Sequence, residues 1–129
     1  MRENERKVFG VSEVIPASMA VVAEGKFVFL SGQGPGDSEL DKGIKDQTRA
    51  TMDRIKSALE KSGSSMENIV KATIYLKNMS HYSAMNEVYG RYFPEEPPAR
   101  TCIQIDRMPA SEKQLIEIEA IALARRPFQ

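Results

Sequence analysis

Residues 115–124 read Leu-Ile-Glu-Ile-Glu-Ala-Ile-Ala-Leu-Ala, and this stretch decides the fold. Successive side chains of a β-strand point to opposite faces of its sheet. Apart from Glu117 and Glu119, the stretch is apolar at both odd and even positions. It therefore predicts a strand that is covered on both faces. The two carboxylates must lie at an edge, at an interface or at a functional site.

Four other segments have the apolar, β-branched or aromatic composition of strands. They are residues 19–24, 26–31, 69–76 and 100–107. Only Gly25 separates the first two, so we expect them to form a tight hairpin.

Two helices are predicted between these strands. Apolar residues at helical spacing follow Gly43 and stop at Gly63, and a glycine there is typical of a helix C-terminus. The second helix follows Ser80 and ends before Pro94. The resulting order, ββαβαββ, predicts a single α+β domain over residues 1–129, with two helices on one face of one sheet.

The other face of this sheet has no covering element in the predicted order. Residues 26–31 and 115–124 are nevertheless apolar on both sides. A large apolar face is normally buried against another molecule. We therefore expect the chain to form an oligomer with copies of itself.

Composition limits the classes of function. Lys plus Arg and Asp plus Glu each total 18 in a chain of 129 residues, so the basic excess of nucleic-acid-binding domains is missing, and we expect no nucleic-acid partner. Cys102 is the only cysteine, and residues 1–10 lack the apolar core of a signal peptide, so we expect a cytoplasmic location. No apolar run approaches the roughly 20 residues that cross a bilayer, so we expect no membrane partner. One His and one Cys exclude a metal site built from these two residue types alone, and we expect no bound metal.

Arg100, Cys102 and Glu117 are the candidate functional residues. Arg100 opens a predicted strand, where its guanidinium can bind a carboxylate through two parallel hydrogen bonds. Taken alone, an ordinary surface ion pair is the more common reason for an arginine at such a position. Cys102 lies on the same face and is best interpreted as a small apolar core residue. Glu117 is either a solvent-facing carboxylate or part of a site.

Several segments together resemble the RidA/YjgF family, also called the endoribonuclease L-PSP family. The matching segments are Val28–Gln33, Gln47–Arg49, Ile69–Leu76, Asn86–Tyr89, Pro98–Cys102 and Ile116–Ala122. The last two are the most specific, and the similarity runs from about Pro16 to Ala124.

The resemblance implies a chorismate-mutase-like fold and a homotrimer with clefts between neighbouring subunits. It also implies hydrolysis of small 2-imino acids, or of their enamine tautomers, to 2-oxo acids and ammonia without a cofactor. By family position, Arg100 holds the substrate carboxylate and Glu117 orients and activates the attacking water. Ser31, Gly32 and Cys102 are implied to line the cleft.

The chain departs from the family at Ser18, which takes the place of a tyrosine that commonly closes the cleft. Ser18 is thus a candidate substrate contact, and larger imino acids or a muconate-type enamine become candidate substrates. Asn86 also matches a common family position, but we expect its role to be structural, and Glu119 is expected to belong to the scaffold.

Two alternative functions remain at this stage. A trimer could bind a small ligand or a protein in the same clefts without turnover, and the missing tyrosine leaves this alternative open. The family's older label suggests an endoribonuclease, but the neutral charge balance disfavours it.

Overall fold

The computed structural model describes residues 5–125. Their strands and helices, in chain order, are β1 (Glu5–Val11), β2 (Ser18–Glu24), β3 (Lys26–Gln33), α1 (Ile44–Lys61), β4 (Ile69–Leu76), α2 (Tyr82–Gly90), β5 (Ala99–Gln104) and β6 (Ile116–Ala124). The predicted α+β class is confirmed, with one mixed sheet and two helices. Both predicted helices are present. The strand predicted over 100–107 ends earlier, at Gln104.

The sheet has six strands in the order β1-β2-β5-β4-β6-β3. Strand β4 lies in the middle, parallel to β5 and antiparallel to β6. Strand β3 is antiparallel to β6 at one edge. The antiparallel pair of β1 and β2 joins the other edge through a parallel contact with β5.

Strand β1 is absent from the sequence-based prediction, which had five strands. Its residues Glu5–Val11 include three charged side chains and a glycine, so the segment has no apolar strand signature. It forms because β2 offers a complete antiparallel register, from Glu5 opposite Glu24 to Val11 opposite Ser18. Backbone pairing with β2 therefore makes this segment a strand, although its own residues have little preference for one.

The predicted hairpin of residues 19–24 and 26–31 is wrong. Strands β2 and β3 follow one another through Gly25, yet three other strands separate them in the sheet. Strand β2 meets β5 only at Ser18, opposite Ala99, whereas β3 begins at Lys26, opposite Ala124 of β6. Gly25 therefore joins β2 to a strand at the other edge of the sheet, and its φ of 140° is accessible mainly to glycine.

The core lies between α1, α2 and one face of the sheet. Its fully buried side chains include Met52, Ile55, Leu59, Ile74, Leu76, Met85, Ile116 and Ile118. We call the sheet face opposite the two helices the open face. On this face Phe29 is 74% exposed and Ile103 is 42% exposed. The prediction that the helices leave one partly apolar face uncovered is therefore confirmed.

Gln47 connects the first turn of α1 to the segment that leads into β6. Its side chain is fully buried. Nε2 donates hydrogen bonds to the carbonyls of Lys42 at 3.1 Å and Lys113 at 3.0 Å, and Oε1 accepts one from the amide of Leu115 at 2.8 Å. One buried amide thus satisfies backbone groups that no strand or helix pairs.

Neither helix in the described part of the chain has the length and apolar character of a membrane span.

We predict that Gln47→Leu lowers the free energy of unfolding by about 2–4 kcal/mol, because it leaves buried backbone groups without partners. Urea denaturation at a fixed protein concentration measures this change. Lys56→Ala, at an exposed position of the same helix, is the control and should change the value by less than about 0.5 kcal/mol. A loss for Gln47→Leu no larger than that of the control would contradict the assigned role.

Candidate functional site

The Arg100 guanidinium is held by the side chains of α2. Nη1 donates to Asn86 Oδ1 at 2.7 Å, and Nη2 donates to the Tyr82 hydroxyl at 3.1 Å. The guanidinium carbon lies 5.6 Å from the ring centre of Tyr82 and 5.1 Å from that of Tyr89. Aromatic rings at this distance attract a cation. The guanidinium is therefore fixed in orientation while Arg100 remains only partly buried.

Helical spacing brings the three partners of Arg100 together. Tyr82, Asn86 and Tyr89 are four and three residues apart along α2, so they share one face of the helix. This face lies over β5, where Arg100 follows Ala99 at the start of the strand. Asn86, predicted to be structural, acts by positioning Arg100.

Cys102 lies on the same face of β5 as Arg100 and packs against the hydrophobic core. Burial raises the pKa of its thiol, and the charge of Arg100 opposes this effect only in part. A raised pKa keeps the thiol protonated at neutral pH, and the thiol is not the nucleophilic form. These features agree with the interpretation of Cys102 as an apolar core residue.

Glu117 is partly buried and points to the open face. Gln114 is fully buried and holds the Glu117 carboxylate, because its Nε2 donates to Glu117 Oε1 at 3.2 Å and to the Ile116 carbonyl at 2.9 Å. The Gln114 Oε1 in turn accepts a hydrogen bond from the Ala110 amide at 3.1 Å. A buried amide that is itself anchored therefore sets the orientation of the carboxylate.

A β-bulge contains Ser31 and Gly32, and Gly32 lies beside Glu117. The pairing of β3 with β6 shifts between Leu30 and Gln33, and Ser31 and Gly32 fall in the shift. A Cβ atom on residue 32 would lie 2.5 Å from Glu117 Oε2, which is closer than such atoms can approach. Only glycine at this position leaves the space that the carboxylate occupies. Ser31 is exposed next to it.

A shallow cavity of about 250 Å³ surrounds Glu117 on the open face. It is lined by Gly32, Tyr75, Ile105, Glu117 and Glu119. The Tyr75 hydroxyl donates a hydrogen bond to Glu119, and this bond is the main cause of a raised pKa of the Tyr75 phenol. Glu119 therefore has a partner within the sheet, in agreement with the scaffold role expected for it.

Arg100 and Glu117 lie on opposite faces of the sheet. Arg100 is opposite Ala72, and Ala72 is opposite Ala120, in a row that is buried under the helices. Glu117 is opposite Tyr75, three residues further along β4 and hence on the other face. One copy of the chain cannot present both side chains to the same small molecule.

Ser18 makes its hydrogen bonds within its own chain. It is buried, its hydroxyl donates to the Pro97 carbonyl, and its amide donates to the Pro98 carbonyl at 3.1 Å. These bonds tie the start of β2 to the segment that precedes β5. The role of Ser18 as a substrate contact stays a prediction.

Tyr82 and Gln114 are the two site residues that the sequence-based analysis missed. From the sequence, Tyr82 was predicted only to lie in the second helix. Its spacing of four residues from Asn86 was the available signal. Gln114 is a lone amide directly before an apolar strand, which is also the pattern of an ordinary loop residue.

Several known proteins are similar to this chain in sequence. The model of the family described as Endoribonuclease L-PSP matches residues 14–124. A RutC family protein of Pyrococcus horikoshii is 46% identical over 124 residues, which are 93% of this chain and 92% of that protein. The protein HMF1 of Saccharomyces cerevisiae is 35% identical over 122 residues, covering 89% of this chain and 93% of that protein.

Solved structures of similar proteins have the same fold. The yeast protein YEO7 superposes with a TM-score of 0.73 at 30% identity, over 94% of this chain and all (100%) of the other. A YjgF family member from Neisseria meningitidis gives a TM-score of 0.70 at 29% identity, over 98% and 100% of the two chains. The resemblance found in the sequence is thereby confirmed, and the chain belongs to the YjgF/RutC family, the family described as endoribonuclease L-PSP.

Proposed function

We propose that the protein hydrolyses small 2-imino acids, or their enamine tautomers, to 2-oxo acids and ammonia in clefts between subunits of a homotrimer. One observation carries the proposal. A guanidinium positioned by Asn86 and Tyr82 and a carboxylate positioned by Gln114 lie on opposite faces of one sheet. They suit the two ends of an imino acid if neighbouring copies bring them together.

The open face is the surface that such a trimer would bury. It carries the exposed side chains of Phe29 and Ile103 in addition to the Glu117 cavity. If the open face of each copy contacted the surface around Arg100 of the next copy, three equivalent contacts would close a ring. Three copies is the number that the family resemblance implies.

Arg100 would bind the substrate carboxylate. Asn86 and Tyr82 each accept one hydrogen bond from the two terminal nitrogens, and each nitrogen keeps a second N–H for a ligand. A guanidinium that is already oriented loses little entropy on binding, and it fixes the imine carbon relative to Glu117 of the neighbouring copy.

Glu117 would act on the water. The carboxylate accepts a proton while the water oxygen bonds to the imine carbon, and the electron pair of the C=N bond moves to nitrogen, which takes up a proton. The resulting carbinolamine loses ammonia as its hydroxyl becomes the carbonyl of the 2-oxo acid. A positioned acid/base of this kind contributes about 10²–10⁴-fold to a rate. The imine carbon is electrophilic by itself, so this scheme needs no cofactor.

The two alternatives make different demands on the same residues. A binding module without turnover needs Arg100 but not Glu117. An endoribonuclease must accept phosphates, which Glu117 and Glu119 on the open face would repel. The free thiol of Cys102 suits a reducing compartment, and a cytoplasmic location is part of the proposal.

A panel of amino acids tests the activity. Each amino acid is oxidised to its imine by an amino acid oxidase, and the release of the oxo acid is timed with and without the protein. Acceleration for at least one imino acid supports the proposal. No acceleration for any of them, together with 2-oxo acid binding, would favour the binding module, and RNA cleavage under the same conditions would favour the endoribonuclease.

Arg100→Lys keeps the positive charge but loses the planar pair of donors. We predict that kcat/KM for imine hydrolysis falls by at least about 100-fold, since charge-assisted bidentate bonds are lost. The melting temperature should stay within a few degrees. Arg91→Lys, at an exposed position just after α2, is the matched control and should keep wild-type turnover. Near-normal turnover of Arg100→Lys would mean that another residue binds the substrate carboxylate.

Glu117→Gln keeps the size of the side chain but cannot exchange a proton. We predict that kcat for imine hydrolysis falls about 10²-fold or more, while binding of a 2-oxo acid is retained. Glu60→Gln, at an exposed position of α1, should have no effect. A folded Glu117→Gln protein with unaltered turnover would reject Glu117 as the acid/base.

The placement of Arg100 and Glu117 on different faces predicts complementation between inactive variants. Light scattering should first give three times the 14.4 kDa chain mass. Arg100→Lys and Glu117→Gln proteins are then unfolded, mixed in equal amounts and refolded together. In randomly mixed trimers, about one cleft in four combines an intact Arg100 from one copy with an intact Glu117 from its neighbour. About a quarter of wild-type activity should therefore return. A monomeric mass, or a mixture as inactive as its components, would contradict the shared cleft.

A further inference from the structure

The Tyr82 hydroxyl has a hydrogen atom that no described residue accepts. Its oxygen accepts a bond from Arg100 Nη2 at 3.1 Å, and within residues 5–125 no hydrogen bond is donated by this hydroxyl. The side chain is only partly buried and packs against the edge of the core, so a ligand can reach it. A donor with a free proton beside a guanidinium is a typical element of a carboxylate-binding site.

Tyr89 provides the contrast on the same helix face. Its ring also lies against the Arg100 guanidinium, but its hydroxyl makes no hydrogen bond in the described part of the chain. That hydroxyl is buried, however, and burial raises the pKa of Tyr89. Tyr89 therefore contributes its ring to the Arg100 environment, whereas Tyr82 can offer a hydroxyl to a bound molecule.

The arrangement of Arg100 and Tyr82 suits the two oxygens of one carboxylate. Nη2 keeps a second N–H after its bond to Tyr82, and the Tyr82 hydroxyl keeps its own hydrogen to donate. The second N–H of the planar Nη2 points about 120° away from the bond to Tyr82, so Nη2 and the hydroxyl can reach the two oxygens of one carboxylate separately. A hydroxyl that accepts from a cation is also polarised and becomes a better donor. Asn86 holds the other terminal nitrogen, so the guanidinium cannot turn away.

We propose that Tyr82 is a second substrate-binding residue, whose hydroxyl donates to the carboxylate that Arg100 binds. This inference rests on the proposed function, because it takes the 2-imino acid as the ligand. It assigns to Tyr82 a share in the selection of substrates that carry a carboxylate next to the C=N bond.

Tyr82→Phe tests the inference, because it removes the hydroxyl and keeps the ring beside Arg100. The probe is 2-oxobutanoate, whose binding can be followed by NMR titration into the millimolar range without any turnover. Hydrogen bonds to charged groups lead us to expect about tenfold weaker binding, and a KM for imino acids raised by a similar factor with kcat little changed. Tyr92→Phe is the matched control, since the Tyr92 hydroxyl bonds Asp53 on α1, and it should bind like the wild type.

A double-mutant cycle separates a direct contact from an effect through Arg100. In the Arg100→Lys background, Tyr82→Phe should still weaken binding of 2-oxobutanoate by at least about threefold, because the hydroxyl touches the ligand itself. Loss of the effect in that background would make Tyr82 a positioning residue and overturn the inference. Equal binding by the wild type and Tyr82→Phe would overturn it as well. A wild-type protein that neither hydrolyses imino acids nor binds 2-oxobutanoate would overturn the proposed function together with it.

Discussion

Two helices can cover only one face of a six-stranded sheet, and the rest of the structure depends on this constraint. The covered face holds the core, and it also holds Arg100, because the first residues of β5 lie beneath α2. The open face holds Glu117 in a shallow cavity beside exposed apolar side chains. The same alternation of side chains that builds the core therefore divides the candidate site into two halves.

Each half is oriented before any ligand binds, and in each half a side-chain amide does this. Asn86 accepts from the Arg100 guanidinium, and Gln114 donates to the Glu117 carboxylate. Both amides are held by the scaffold, Asn86 on a helix and Gln114 through the Ala110 amide and the Ile116 carbonyl. Orientation fixed in this way costs no reorganisation during binding, which is a condition for effective electrostatic catalysis.

The sequence predicted the parts of the fold that depend on local pattern. Strand β6 and helix α1 follow from apolar spacing alone, and Arg100 and Glu117 were visible as charges in apolar strands. It could not predict the pairing of β2 and β3, since a glycine between two strands is equally compatible with a hairpin and with a turn between distant edges. Tyr82 and Gln114 were missed because their roles depend on contacts 18 and 3 residues away, and no period reports such contacts.

The separation of β2 from β3 also affects how the chain folds during synthesis. Strand β3 pairs only with β6, and Phe29 meets Ile121 about 90 residues later in the chain. Until the ribosome has released β6, β3 has no hydrogen-bonding neighbour, and Phe27 and Phe29 are exposed on an unpaired edge. Unpaired apolar edges are the segments from which nascent chains aggregate. Chaperone binding to the nascent chain would therefore concentrate on β3 until translation of β6 is complete.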